Sequence, residues 1–474
     1  MEKNLALYDQ LQAYARREIC SMHMPGHKRR AAHSPLLPWQ LDITEIDGFD
    51  DLHAPDGILR DAQMRAARLW GSDEAYFLIN GSSGGILAGV YASVSPGDRI
   101  LLARNCHKSV YHAVELMGLH PVYLEPAIVA GAGIAGSVTA EAVARALEAY
   151  PDIRLVVLTS PTYEGVLSDV GAIAAVLHNR DIPLFVDEAH GAHLGLSSHF
   201  PPSAVHQGAD LVVQSLHKTL PSLTQTAVLH RAGERVSPAR LRHALGVFQS
   251  TSPSYPLLAS MDGCVTYLEE QGEGLFDAWR QRLDRFYEEM RDLRHLKLLR
   301  RELDSHHIYT HDPGKLVILC GGTSLTGTAL MDALRAEFGI ELEMALDGYA
   351  IAMTSPQSTD GECARLGEAL RRQDSIAEAV PERGSVALPS MPEQMMLAGE
   401  AMRLPGRQVG FAESVGQIAR GYVWAYPPGV PLVTPGVRIT TEIAVCLSEL
   451  EASGVVLKRT FEAPEGQIEI VDNR

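Results

Sequence analysis

The sequence predicts an α/β protein: a large domain built on a mostly parallel sheet, followed by a smaller α+β C-terminal domain. Three observations carry this reading. From Ala75 onward, short apolar runs alternate with helical segments, the pattern of strands buried on both faces by crossover helices. A chain of 474 residues is too long for one simple core, so two or three domains are expected. Beyond about residue 270 the strict alternation gives way to a long charged segment and a shorter mixed pattern.

Taken in order, Leu7, Leu11 and Tyr14 stand at helical spacing in an amphipathic arm over residues 5–17. Ser21–Lys28 is a Pro-Gly turn flanked by His23, His27 and Lys28. Asp42–Gly57 is acidic and aperiodic, and its interspersed Ile43, Ile46, Phe49 and Leu52 mark an ordered, functional loop. Strands are then predicted at Ala75–Asn80, Arg99–Ala103, Pro121–Glu125, Leu155–Thr159, Leu184–Asp187 and Leu211–Gln214. Helices are predicted at Ser83–Ser93, Lys108–Leu116, Ala140–Tyr150 and Ala172–His178. Residues 276–303 read as one linking helix; Lys315–Leu319, Ile340–Met344 and Tyr349–Thr354 as strands; Leu325–Phe338 and Cys363–Arg371 as helices. The expected division is an arm and loops over 1–60, a large domain over 61–270, a linker and small domain over 271–380, and a C-terminal region over 381–474.

The formal charge of −17 argues against nucleic acid and anionic membrane as partners and suits a cationic small molecule, though surface charge also serves plain solubility. The six scattered cysteines include no C-x-x-C pair, which predicts reduced thiols in a cytoplasmic protein. The N-terminus lacks the apolar core of a signal peptide, and no stretch is long and apolar enough to cross a bilayer.

The chemistry gathers at strand ends. Asn80-Gly81-Ser82-Ser83-Gly84-Gly85 joins a strand to a helix, where N-terminal amides, two hydroxyls and close-approach glycines make a phosphate cradle. The same composition also caps ordinary helices, and it is neither G-x-G-x-x-G nor a P-loop. Asp187 ends a buried strand, where open α/β sheets bind ligands, though Asp also serves as an N-cap there. Lys218 follows one strand later, at the end of Leu211–Gln214. A lysine can snorkel from a loop, but a lysine, a carboxylate and a phosphate cradle converging on one sheet edge are what pyridoxal 5′-phosphate requires. Arg104–Ser109 opens a helix on the same edge, so His107 is either a helix cap or an aromatic lying over a cofactor ring. His190 and His193 form an H-x-x-H pair, but no H-E-x-x-H or cysteine pair supports a metal site.

These segments, together with His23–Lys28, Asp50–Pro55, Ser160-Pro161-Thr162-Tyr163, Ser250-Thr251-Ser252-Pro253-Ser254-Tyr255 and Tyr426-Pro427-Pro428-Gly429, resemble the fold-type I, pyridoxal-phosphate-dependent Orn/Lys/Arg decarboxylases in their short bacterial form. The resemblance covers nearly the whole chain. It implies that Lys218 is the Schiff-base lysine and Asp187 the partner of the ring nitrogen. His107 would stack on the ring and His190 would face its phenolic oxygen. Ser82, Ser83, Gly84, Thr162, Ser215 and His217 would surround the cofactor, and Ser250, Thr251 and Ser252 would reach the phosphate of a neighbouring subunit in a homodimer. Decarboxylation of arginine, lysine or ornithine to agmatine, cadaverine or putrescine is the implied activity, with Lys218 or His217 as proton donor. The alternatives are another fold-type I enzyme, such as an aminotransferase or carbon–carbon lyase, and a non-catalytic relative. One departure stands out: the family's usual Pro-Gly-Glu reads Pro435-Gly436-Val437 here. The acidic loop Asp42–Asp56, or Glu442, is then left to meet a basic substrate side chain.

Overall fold

The computed structural model describes residues 6–17, 37–129, 132–300, 304–381, 389–425, 430–452 and 455–472. The Pro-Gly turn Ser21–Lys28 and the segment Tyr426–Gly429 lie outside them. The chain folds into two compact units that interleave in sequence. Residues 1–93, 183–284 and 354–359 make the first; residues 94–182, 285–353 and 360–474 make the second.

In the first unit, four strands lie in the order Glu74–Leu78, Ala227–Arg231, Leu211–Gln214 and Leu184–Asp187. The last two run parallel, with Asp187 opposite Val213. Both are buried along their whole length, as strands covered on two faces must be. Ala227–Arg231 and Glu74–Leu78 join antiparallel. The outermost strand finishes against side chains: Phe77 N–H donates to Gln63 Oε1 at 2.9 Å, and Ile79 N–H donates to Gln249 Oε1 at 2.9 Å.

The helix Gly81–Ser93 lies very close to this sheet, and its glycines are the reason. A Cβ on Gly85 would stand 2.5 Å from Leu78 Cδ1 and 3.0 Å from Val213 Cγ2; one on Gly89 would stand 2.5 Å from Phe185 Cε1. Gly85→Ala should therefore destabilise the protein by roughly 1–3 kcal/mol, through overpacking. Denaturant unfolding measures this, and wild-type stability would refute the close approach.

In the second unit, strands Ile153–Thr159, Arg99–Ala103 and His120–Leu124 pair in that order, all parallel. A separate antiparallel sheet runs Met344–Ala345, Tyr349–Met353, Lys315–Leu319 and Lys297–Leu298. The C-terminal region closes over its own core of Val409, Phe411, Leu432, Val433, Val437, Ile439, Ile443 and Ile468.

Several expected elements shift. The linking helix starts at Tyr255, well before residue 276, and ends at Glu289. Glycines at 263, 272 and 274 weaken its local signal, while the residues after 290 turn into Lys297–Leu298. Of the predicted Ile340–Met344 run only Met344 is strand, in the two-residue Met344–Ala345. Helices Ile58–Trp70 and Pro238–Phe248 are additional to those expected. The described cysteines, Cys106, Cys264, Cys320, Cys363 and Cys446, are unbridged.

Candidate active site

The parallel pairing of Leu184–Asp187 with Leu211–Gln214 sets two chemically loaded strand ends side by side. Ser215 caps the short helix Leu216–Thr219, which presents His217 and Lys218. Across from it, a turn closed by Gly191 N–H donating to Glu188 O at 2.8 Å carries His190. Lys218 Nζ lies 3.0 Å from His190 Nε2. A neutral imidazole can accept from the ammonium, so His190 orients the lysine.

Asp187 is buried, and its Oδ1 accepts from Ala189 N–H at 3.1 Å. Burial pushes its carboxyl above the usual range, while the Lys218 charge and the Ala189 amide pull the other way. His217 Nδ1 lies 2.9 Å from Thr226 O. A carbonyl only accepts, so Nδ1 carries the hydrogen and the neutral ring leaves Nε2 bare. Burial lowers the pKa of His217 and keeps it in this neutral form.

Ser82 and Ser83 stand in the first turn of Gly81–Ser93, Ser82 half-buried and Ser83 exposed, beside a buried Gly84. Gly81 turns the chain at φ 67° to bring these amides out of the strand. Ser250, Thr251 and Ser252 are exposed, and Ser250 Oγ accepts from Ser252 N–H at 3.2 Å. His53 Nε2, from the acidic loop, donates to Ser250 O at 2.8 Å.

The second unit holds His107 and Thr162. His107 caps helix Lys108–Met117, with Nδ1 2.8 Å from Ser109 Oγ and accepting from Ser109 N–H. The capping role fixes the ring's attitude. Thr162 is buried, and its Oγ1 accepts from Val166 N–H at 3.2 Å in a tight turn. His193 is packed edge-on between Phe200 and Trp279. Val437 is fully buried in the C-terminal core, and Glu442 is exposed.

The first unit's residues fit pyridoxal 5′-phosphate on a direct observation. Ser215 Oγ and Thr219 Oγ1 are buried hydroxyls without a partner among the described residues, beside Lys218. Buried hydroxyls in native proteins are normally satisfied, so these two await an acceptor such as a phosphate oxygen. A buried carboxylate whose charge is disfavoured, next to a lysine, completes a donor set suited to a cationic ring with an anionic tail.

Sequence reasoning passed over several neutral partners. Gln225, at φ 84°, donates from Nε2 to Ile79 O at 2.5 Å, and Asn80 Nδ2 donates to Phe248 O at 2.9 Å. With Gln249 they hold the strand end from which the Ser/Gly turn springs. Glutamines carry no distinctive spacing, so no motif could have marked them.

Residues 6–317 match the family model described as "Orn/Lys/Arg decarboxylase, major domain". The chain is 34% identical to an arginine decarboxylase of Bacillus subtilis (strain 168), over 94% of each chain. It is 32% identical to an arginine decarboxylase of Halalkalibacterium halodurans, over 96% of this chain and 95% of that one. Its fold is similar to that of the Francisella novicida lysine decarboxylase LdcF, with a TM-score of 0.83 at 22% identity over 98% of this chain and 81% of the other.

Proposed function

Because this chain belongs to the Orn/Lys/Arg decarboxylase family, and so is a pyridoxal-phosphate-dependent decarboxylase of a basic amino acid, we propose that Lys218 and Asp187 carry its chemistry and that arginine is its first substrate to test. The observation that carries the site assignment is the Lys218–His190 pair beside buried Asp187, at two adjacent parallel strand ends. The names of its 34% and 32% identical relatives favour arginine over lysine and ornithine.

When bound, the cofactor supplies an electron sink for the pair left behind as the carboxylate departs. The chain's residues do the rest. Ser215, Thr219 and the Ser82–Gly84 turn bind the phosphate. Asp187 holds a proton on the ring nitrogen, and that proton's charge in turn favours the ionised carboxylate. Lys218 anchors the cofactor and returns a proton to the substrate Cα. His217 is the weaker candidate for that transfer, since its Nδ1 hydrogen is committed to Thr226 O and its Nε2 is bare. His190 holds Lys218 in line.

Recognition of the substrate's distal cation needs a carboxylate. Val437 is core and cannot provide one. In the acidic loop, Asp50 is committed to the loop itself, accepting from the backbone amides of Asp51, Asp56, Gly57, Leu59 and Arg60. Glu45 keeps a shielded Oε1 with no partner among the described residues. Glu45→Gln should raise KM about tenfold with little change in kcat, the mark of lost ground-state binding. An unchanged KM would remove Glu45 from the site.

The exposed Ser250–Ser252 loop supports a homodimer in which this loop completes the partner's site. The unbridged cysteines support a cytoplasmic location. Among the described residues no helix is long and apolar enough to cross a membrane. The test is a panel of basic amino acids assayed by mass spectrometry. Agmatine with carbon dioxide from arginine is expected. Cadaverine or putrescine as the dominant product would move the substrate, and keto-acid formation would indicate an aminotransferase.

A further inference from the structure

Behind the site, on the opposite side of the two strand ends, sits a fully buried carboxylate with no ion-pair partner among the described residues. Glu188 Oε1 accepts from Ala204 N–H at 2.8 Å; Oε2 accepts from Ser203 Oγ–H and from Gln214 Nε2–H, both at 2.7 Å. Gln214 Oε1 then accepts from His230 Nε2–H at 3.1 Å, and His230 Nδ1 accepts from Ser72 Oγ–H at 3.0 Å. Every donor along this line points towards Glu188. Burial lowers His230 to about 3, so it is neutral, as a ring that both donates and accepts must be.

The position of the line gives it meaning. Glu188 directly follows Asp187, and Gln214 directly precedes Ser215. Glu188 N–H also donates to Val213 O at 3.0 Å. A carboxylate buried with only neutral donors is costly, and an apolar or amide residue would satisfy packing with less desolvation. Resting on the reading that Lys218 and Asp187 bind the cofactor, we propose that Glu188 is a positioning residue. Through Gln214, its carboxylate clamps the strand end bearing Asp187 and His190 to the one bearing Ser215 and Lys218, and so sets the spacing the cofactor needs.

The test titrates purified apoprotein with pyridoxal 5′-phosphate, fixes lysine-bound cofactor with borohydride, and locates the label by peptide mass spectrometry. Burial pushes Glu188 up to about 7, so the measurement is made at about pH 8, where its charged form prevails. Glu188→Gln places an amide N–H₂ against converging donors. Cofactor affinity should fall about tenfold, as for outer-shell partners generally. The fraction of bound cofactor fixed to Lys218 should fall at least by half, a readout that lost stability alone would not move. The double variant Glu188→Gln with Gln214→Glu keeps one charge and reverses the bond's polarity, and should recover most of both. Wild-type values for Glu188→Gln, or a double variant no better than it, overturn the proposal. If Glu188→Gln fails to fold, Ser203→Ala removes one donor and should show the same two losses at smaller size; wild-type values there overturn the proposal equally. Lys218→Ala, run alongside, should take up no label. Label on that variant would defeat the cofactor assignment to Lys218, and the clamp proposal with it, whereas no label there together with wild-type values for Glu188→Gln would overturn the clamp alone.

Discussion

Lys218→Ala should abolish the visible absorbance band of the bound cofactor and lower kcat by about four orders of magnitude or more, the scale seen when a covalent catalytic group is removed. Its fold should survive. Lys218 is half-buried on a one-turn helix whose backbone is set by Ser215, with Lys218 N–H donating to Ser215 O at 3.3 Å, and alanine keeps that turn. Absorbance spectra, circular dichroism and amine release by mass spectrometry check the three parts together. A variant that keeps the band would move the anchoring lysine elsewhere. One that loses the band yet still releases carbon dioxide at the wild-type rate would detach the chemistry from Lys218 altogether.

Asp187→Asn should separate stability from activity. The amide is nearly isosteric but cannot favour a proton on the ring nitrogen, so kcat should fall roughly a hundred- to a thousandfold, as for other buried electrostatic partners. The apoprotein should nevertheless gain stability at neutral pH. Burial holds the native carboxyl's pKa above its unfolded value. Below the usual carboxylate range both states are protonated and the variant has no advantage on this account. As pH rises through and beyond that range the unfolded chain ionises more readily than the native one, and the wild type loses stability relative to the amide variant. Thermal melting of the two apoproteins across that range measures the difference. Equal melting curves at acid and neutral pH would mean that the carboxylate is compensated without a cofactor.

How legible the molecule is in its sequence depends on what kind of signal each part leaves. Strands such as Arg99–Ala103, Leu184–Asp187 and Leu211–Gln214 are short, apolar and flanked by turn residues, and they lie where the pattern puts them. Ile58–Trp70 escapes a periodicity reading because much of its buried face is alanine, at 62, 66 and 67, which contributes little to an apolar period. Pro238–Phe248 does announce itself, with Ser237 as cap, proline at its first position and Leu241 and Leu245 one turn apart. No element is nonetheless predicted there from the sequence, because its arginines and histidine dilute the apolar period. The site divides in the same way. Lys218, Asp187 and Ser215 stand out because a charged or polar residue ends an apolar run. Glu188, Gln214 and His230 gain their meaning only when two strands are laid side by side, and one sequence contains no trace of that register.

The treatment of the outermost strand has a consequence for how this protein meets others. A bare strand edge exposes a row of amides and carbonyls that any extended chain can join. Along Glu74–Leu78 the outward amide of Phe77 is answered by Gln63, and just beyond it Gln249 answers Ile79 N–H while its Nε2 donates to Phe77 O at 3.4 Å. Two glutamine side chains thus stand in for the strand that would come next. This border is closed to recruitment: crowding at high expression should not zip copies of the chain together backbone to backbone along it. Replacing Gln249 with leucine would reopen it, trading a well-behaved solution for slow growth of β-rich aggregate.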